Sequence, residues 1–476
     1  MATLNRILST RPIESLDDYI ESVGTPAIRT AVEMSPEALV EVIEASGLRG
    51  RGGGGFPTGT KWRTVAEMSA DAPSSVVVNG AEGEPGSFKD RTLIRNNPYQ
   101  VIDGALVAAR AVGATEVVIA VKEEFTEEID RLTRAIAEFQ AGGLSDVSVR
   151  LATGPTSYLF GEESALLEVV EGRPPLPRVN PPYRRGLSHD ADDANSSSDL
   201  ALSGDDGDVG APALVNNVET LANVAFILRE GVDEFRSIGT PASPGTTVCT
   251  ISGAVDHAGV AELAMGTPLW DAIDAIGGGA LPERTLIGAV SGTANAVITA
   301  DDFDTPLCFD AMRDAGSGLG ASGFIVFDDQ TDLAAVAHGV ARFLAIESCG
   351  QCEPCKIDGG AIADRLDVIR RSDEHAPADL DEEIATLMST VADGARCGLA
   401  SQHQTAVASL HELATTANRS HLDGSLPAAD VSLIAPIVDI VDGTAELDRR
   451  HLDKQRYWST DGTDSGTAPA DRLQTS

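Results

Sequence analysis

Six cysteines occur in 476 residues, and four of them have spacing that suits metal chemistry. Residues 347–356 read ESCGQCEPCK, which places Cys349, Cys352 and Cys355 in a CxxCxxC run, while Cys397 stands alone in GARCGLAS. Three thiolates two residues apart wrap one face of an iron–sulfur cube, and a distant fourth closes it. Zinc is the rival occupant, although structural zinc usually takes two separated pairs rather than a triplet and a single. Pro354, between two of the candidate ligands, suits a rigid loop. So few cysteines fit a reducing compartment without structural disulfides. Cys249 in TTVCTISG and Cys308 in TPLCFD read as small buried hydrophobes.

A second candidate site is the stretch 46–62, SGLRGRGGGGFPTGTKW, with seven glycines, two arginines and Lys61. An Arg-Gly box for RNA, a phosphate-binding loop and a plain linker are the competing readings. Gly50, Gly52 and Gly55 spell GxGxxG, but the dinucleotide fingerprint needs a strand in front, and PEALVEVIEAS (36–46) reads as a helix. Ser35 is its expected N-cap and Pro36 its first residue. A Walker loop is excluded too, because Thr60 follows Gly54 and Gly59 where lysine is required. Backbone N–H groups freed by glycine can still cradle a phosphate.

Composition removes the RNA reading. The chain has 35 Lys+Arg against 73 Asp+Glu, a formal charge of −38. A field of that sign repels nucleic acid and supplies no counterion release. Such acidity with only five lysines fits a high-salt cytoplasm, where salt screens the self-repulsion. No run of eighteen apolar residues occurs, so no membrane span is expected. The N-terminus lacks an apolar signal core, so a cytoplasmic protein is expected.

The elements that position these sites follow from periodicity. SSVVVNG (74–80), EVVIAVK (116–122) and SVRLATG (148–154) read as strands; 97–113, 127–140, 161–172 and 216–231 read as helices. This alternation implies a parallel sheet covered on both faces, with ligands at the carboxyl ends of its strands. NGAEGEPGSFKD and GPTSYLFGEE both fall at that edge. Residues 188–211 are acidic and aromatic-free and read as a solvated insertion. Short strands, a helix (LWDAIDAIGG) and a further strand (TLIGAV) suggest a small α+β unit across 245–300, and 331–445 reads as helical.

Taken in order, SGLRGRGGGGFPTGTKW, NGAEGEPGSFKDRTLI, YLFGEESALLEVVEG, NNVETLAN, ISGAVDHAGVAEL and ESCGQCEPCK resemble the NADH-binding 51 kDa-type flavoprotein subunit of respiratory complex I. The same module serves NAD-reducing hydrogenases and formate dehydrogenases. The resemblance covers roughly residues 15–420. It implies an α/β fold in three parts: a Rossmann-like FMN/NADH domain (1–240, with the 188–211 insertion), a ubiquitin-like, soluble-ligand-binding-type α+β domain (241–328), and a C-terminal helical bundle with one [4Fe–4S] cluster (329–445). A flexible tail (446–476) is expected to follow.

By match to the family's motifs, Gly50, Arg51, Gly52, Gly53, Lys61, Asn79, Glu82, Tyr158, Gly161, Glu162, Asn216, Asn217 and Thr220 are expected around FMN. Phe56 is expected to stack with NADH, Tyr183 to be a further cofactor-binding residue, Glu84 to face the nicotinamide as the catalytic side chain, and Glu163 to meet the adenosine ribose and reject a 2′-phosphate. Cys349, Cys352, Cys355 and Cys397 would bind the cluster. FMN would take a hydride from NADH and release single electrons to the cluster. The implied partners are a thioredoxin-like [2Fe–2S] subunit and further iron–sulfur subunits leading to a quinone or another acceptor. The sequence departs from the family pattern at Ala81, where a carboxylate is usual, at Thr64, where an aromatic is common, and at Asn180, where lysine is usual. The alternative function is an FMN/[4Fe–4S] scaffold that takes electrons from a ferredoxin-like partner and does not use NADH.

Overall fold

The runs SVVVN and EVVIAVK have no polar alternation, which marks strands buried on both faces. The computed structural model describes residues 3–69, 73–187, 211–372, 376–377 and 379–454. Among these, β1 (Ser75–Asn79), β2 (Glu116–Lys122), β3 (Ser148–Gly154) and β4 (Ala213–Asn217) form a parallel sheet in the order β3-β2-β1-β4. Its strand residues sort by alternation. Val76 and Val78 join a core with Ile102, Leu106 and Val224, while Val77 packs with Phe160, Leu166 and Leu167. Asn79 pairs with Ala120 on one side and with Asn217 on the other, so the carboxyl ends of three strands open at one edge. The helix expected from 216 begins at Val218, because Asn217 ends β4 and caps that helix with its own side chain. Helix Pro36–Ser46 has the expected start, with the Ser35 hydroxyl accepting from Ala38 N, and ends on Gly47 at φ 68°.

A mixed sheet follows: β5 (Thr246–Gly253), β6 (Gly259–Ala264), β7 (Leu286–Ser291), β8 (Ile298–Thr299) and β9 (Gly323–Asp328), in the order β6-β5-β9-β7-β8. Helix Leu269–Gly277 covers it, with Ala272, Ile273 and Ile276 in a core shared with Ile251 and Phe324. This is the small α+β unit expected from the sequence. Helices Leu333–Glu347, Glu353–Arg370 and Leu380–Thr390 then pack around a third core that includes Cys349 and Cys355.

The helical reading to 445 and the flexible tail from 446 both need correction. Among the described residues the α-helices end at Leu422, and β10 (Ile437–Val441) with β11 (Thr444–Leu447) forms an antiparallel hairpin. Residues 437–454 act as a strap. Arg91 donates to Val438 O at 2.7 Å and Arg95 pairs with Asp439 at 2.9 Å, on the parallel-sheet unit. Ala258 N of the mixed-sheet unit donates to Gly443 O at 2.6 Å. Arg342 of the helical unit donates to His451 O and Lys454 O, at 2.5 and 2.9 Å. Asp448, His451 and Lys454 are buried. The rest of the expected tail, and the acidic insertion apart from Ala211, lie outside the described residues.

Candidate functional site

The glycine loop closes on itself: Gly50 N donates to Phe56 O at 2.8 Å, and Thr58 N to Leu48 O at 2.9 Å. Its arginines turn inward. Arg51 is buried, donating to Thr246 O (3.0 Å), Pro244 O (3.2 Å) and Arg49 O (2.8 Å), while its backbone N–H donates to Thr220 Oγ1 at 2.9 Å. Arg51 and Thr220 therefore brace the loop from behind, and the Arg51 guanidinium is not presented to a ligand. At Gly55, φ is 60° and a Cβ would lie 2.5 Å from the Phe309 ring, so this turn has room only for glycine. Gly52 is left facing a cavity at the carboxyl edge of the sheet.

That cavity encloses about 850 Å³ counting its mouth, and Gly52, Asn79, Glu82, Glu84, Tyr158, Gly161, Glu162 and Asn217 all line it. Strand ends and helix starts aim them. Asn79 donates to Gly161 O at 2.8 Å. Glu82 accepts from Ser87 Oγ (2.6 Å) and from Lys89 N (3.0 Å), at the start of helix Lys89–Asn96. Burial, with Asp90 adding repulsion, pushes its carboxyl above the usual range. Glu162 caps helix Glu163–Val170, accepting from Ala165 N at 2.8 Å. Asn217 donates to Asp90 Oδ2 at 2.7 Å. Glu84 accepts from the Tyr158 hydroxyl (2.5 Å), Thr293 N (2.5 Å) and Thr293 Oγ1 (3.0 Å), yet burial still raises its carboxyl above the usual range.

The other expected site residues lie outside this lining. Lys61 pairs with Glu163, which is half exposed. Phe56 is 57 % exposed, leaving a ring face free. Tyr183 packs against the main core, and the buried Asn216 accepts from Trp62 Nε1 at 2.8 Å. Gly50 and Gly53 shape the loop without lining the cavity. Sequence reasoning missed Lys89, which is buried against Asp90 (2.7 Å) and Glu219 (2.9 Å). Burial opposes its charge, but these carboxylates outweigh that and raise its pKa. Glu219 in turn accepts from Val248 N of β5 at 2.9 Å, joining the loop's base to the mixed sheet. Lys89 falls inside a motif already singled out; its partner 130 positions away left no signal in the sequence. Lys122 was missed as well: it is buried behind Gly83, and burial lowers its pKa to about 8.

Cys349, Cys352, Cys355 and Cys397 come together around a second, shallower pocket of about 300 Å³ counting its mouth, with Leu159, Pro177, Leu399 and Ala400. Little else holds the thiols. Ser348 Oγ lies 3.3 Å from Cys355 Sγ, and Gln351 Nε2 lies 3.5 Å from Cys349 Sγ. Burial raises the Cys355 thiol and pushes Cys397 up to about 12. Leu159, Cys397 and Leu399 line both cavities, so the two share a wall.

The Nuo51 FMN-binding domain matches residues 43–226, and the NADH-ubiquinone oxidoreductase-F iron-sulfur binding region matches 335–415. The second F-type subunit of NADH-quinone oxidoreductase in Rhizobium meliloti (strain 1021) is 36 % identical over 352 residues, covering 72 % of this chain and 79 % of that protein. The chain belongs to the family of NADH-quinone oxidoreductase F-type subunits. Its counterpart in Aquifex aeolicus (strain VF5) is 34 % identical over 75 % of this chain and 80 % of its own. The HndC subunit of the NADP-reducing hydrogenase of Solidesulfovibrio fructosivorans is 32 % identical over 86 % of this chain and 81 % of its own. A crystal structure of NAD+-reducing [NiFe]-hydrogenase superposes with a TM-score of 0.72 at 31 % identity, covering 90 % of this chain and 68 % of that one. This F-type protein is thus an oxidoreductase flavoprotein with two cofactors, FMN and a [4Fe–4S] cluster. The residues present fit both groups. Four thiols in an apolar pocket are the donor set of a cube. A glycine-walled cavity with amide and carboxylate side chains suits a flavin's phosphate, ribityl chain and ring edge. Among the described residues no helix is long and apolar enough to cross a membrane.

Proposed function

We propose that the chain is the NADH-oxidising electron-input component of a larger complex, with residues 1–240 holding FMN and dinucleotide, 241–328 bracing them, and 329–445 holding the cluster. The observation that carries this reading is the shared wall: a flavin-sized cavity and a four-cysteine cavity separated by Leu159, Cys397 and Leu399. When bound, FMN supplies conversion between a two-electron hydride donor and a one-electron acceptor. The chain's own residues do the rest. Gly50, Gly52 and Gly53 let the loop's backbone approach a phosphate, and Asn79, Glu82, Gly161, Glu162 and Asn217 offer polar groups to the flavin. Arg51, Asn216 and Thr220 act one layer back, by holding the loop and strand ends. Glu84 faces the reacting side with Tyr158 behind it, Phe56 offers a ring face to the dinucleotide, and Tyr183 supports the cofactor site from its place against the core. Lys61 and Glu163, paired at the mouth, sort incoming nucleotides by charge. The four cysteines ligate the cluster.

The names of the relatives support a membership in multi-subunit electron-transfer assemblies. We assign this chain to the cytoplasmic side of such an assembly, with a thioredoxin-like [2Fe–2S] subunit and further iron–sulfur subunits as its partners. Anaerobically purified protein is expected to carry one FMN and about four irons per chain, and NADH is expected to bleach its flavin and reduce ferricyanide. Stoichiometric zinc without labile sulfide overturns the cluster assignment. A flavin bleached by reduced ferredoxin but not by NADH overturns NADH use, in favour of the scaffold reading.

A further inference from the structure

Glu84 is held by Tyr158 and Thr293, and Gln402, just past the cluster loop, reaches it through the Tyr158 hydroxyl. Tyr158, at the start of the 3-10 turn Tyr158–Gly161, donates its hydroxyl hydrogen to Glu84 Oε2 at 2.5 Å. Thr293, two residues past β7, donates from its backbone. Gly292 beside it has φ 63°, and any Cβ there would overlap the Glu84 carboxylate. Gln402, five residues past Cys397, donates from Nε2 to the Tyr158 hydroxyl oxygen at 3.1 Å, and its Oε1 lies 3.4 Å from Thr293 Oγ1. Gln402 stands immediately before the π-helical turn His403–Val407, a widened turn that re-aims the side chains around it.

A phenol has one hydrogen to give. Because Gln402 donates to the Tyr158 oxygen, that hydrogen is left for Glu84, and the bond is strengthened by polarisation along the chain. We propose that Gln402 is a positioning residue for the NADH-oxidising site: it fixes the direction of the Gln402–Tyr158–Glu84 hydrogen-bond chain so that Glu84 remains an ionised acceptor facing the flavin cavity. The inference rests on the function proposed above. Other charged groups face this chain. Glu82 and Asp90 line the same cavity, Lys122 lies behind Gly83, and Glu347 accepts from Tyr158 N at 2.9 Å with Lys454 and His451 beside it. All of them are left in place by a substitution at 402.

The test follows the visible absorbance of flavin-loaded protein as a function of pH, which reads the charge on Glu84 without turnover, together with the acid limb of kcat/KM for NADH:ferricyanide reduction. Removing one hydrogen bond from a chain that stabilises an ionised carboxylate raises its midpoint, so Gln402→Leu is expected to move both midpoints up by roughly half to one pH unit. The near-isosteric Gln402→Glu competes for the Tyr158 hydrogen and is expected to move them further. In a Tyr158→Phe background, Gln402→Leu is expected to add little, because the acceptor of its 3.1 Å bond is gone and only the 3.4 Å approach to Thr293 remains. Unmoved midpoints in Gln402→Leu and Gln402→Glu, equal shifts with and without the Tyr158 hydroxyl, or a wild-type spectrum that does not titrate each overturn the proposal. Wild-type flavin that NADH does not bleach overturns the function instead, while the absorbance titration still decides the role of Gln402.

Discussion

On one side of the wall formed by Leu159, Cys397 and Leu399, polar side chains are tied before any cofactor is considered: Asn79 to Gly161, Glu82 to Ser87, Asn217 to Asp90, Glu84 to Tyr158 and Thr293. On the other side, the thiols have few polar neighbours, Ser348 Oγ by Cys355, Gln351 Nε2 by Cys349 and the Leu399 backbone by Cys397, and burial raises both Cys355 and Cys397. The flavin cavity is preorganised by protein–protein hydrogen bonds. The cluster cavity is completed by its occupant, because thiolates must form for the metal and the metal then offsets their burial. The flavin half should therefore outlast loss of the cluster half.

The largest test removes a cluster ligand. Cys352→Ala is expected to abolish the cluster, with loss of essentially all iron and labile sulfide, while FMN content and NADH bleaching in a stopped-flow trace are retained. Loss of FMN alongside the iron would break the contrast between the two cavities.

Acid should separate the halves as well. His338, His403 and His451 are buried in the cluster half and its strap, and burial lowers each from 6.5 to about 4. Among the described residues before 240 there is no histidine. Between about pH 6.5 and 4 the unfolded chain takes up protons that the folded histidines refuse, so stability falls as pH falls through that window. The upper bound is about 3 kcal/mol for each histidine. Thermal melts should show cluster absorbance lost at progressively lower temperature than the far-side flavin signal as pH drops. Parallel acid dependence of both signals would mean that the halves melt as one unit.

The smallest effect concerns nucleotide choice at Glu163. Glu163 is half exposed and already paired with Lys61, so salt and its partner both moderate its charge. Glu163→Gln is expected to raise kcat/KM for NADPH by one to two decades, equivalent to about 1.4–3 kcal/mol, with a smaller change for NADH. An unchanged NADPH/NADH ratio would place the ribose elsewhere.

Local pattern carried much of this architecture. β2 and β3 keep the boundaries that periodicity gives them, and the CxxCxxC run with Cys397 converges on one cavity. Two kinds of feature were not legible. Arg51 and Thr220 sit in a binding motif but point away from the cavity, because loop glycines need buried bracing as much as ligand contact. Ion pairs such as Lys89–Glu219 and bonds such as Gln402–Tyr158 join residues far apart in sequence, where a single chain offers no spacing rule. The β10–β11 hairpin did leave a signal. Asp442-Gly443, both at positive φ, sits between IVDIV and TAEL as a two-residue turn, and helical context upstream masked it.

The strap of residues 437–454 has a meaning in time as well as in space. A chain made at ~5–20 residues per second completes its sheet units first, then the last cysteine, and only seconds later the segment that ties all three units together. Until Arg342 can donate to the carbonyls of His451 and Lys454, those units meet without that clasp. Translation thus delivers all four cysteines and the lining of both cavities before the strap, which begins 40 positions beyond Cys397, is available to tie the three units together.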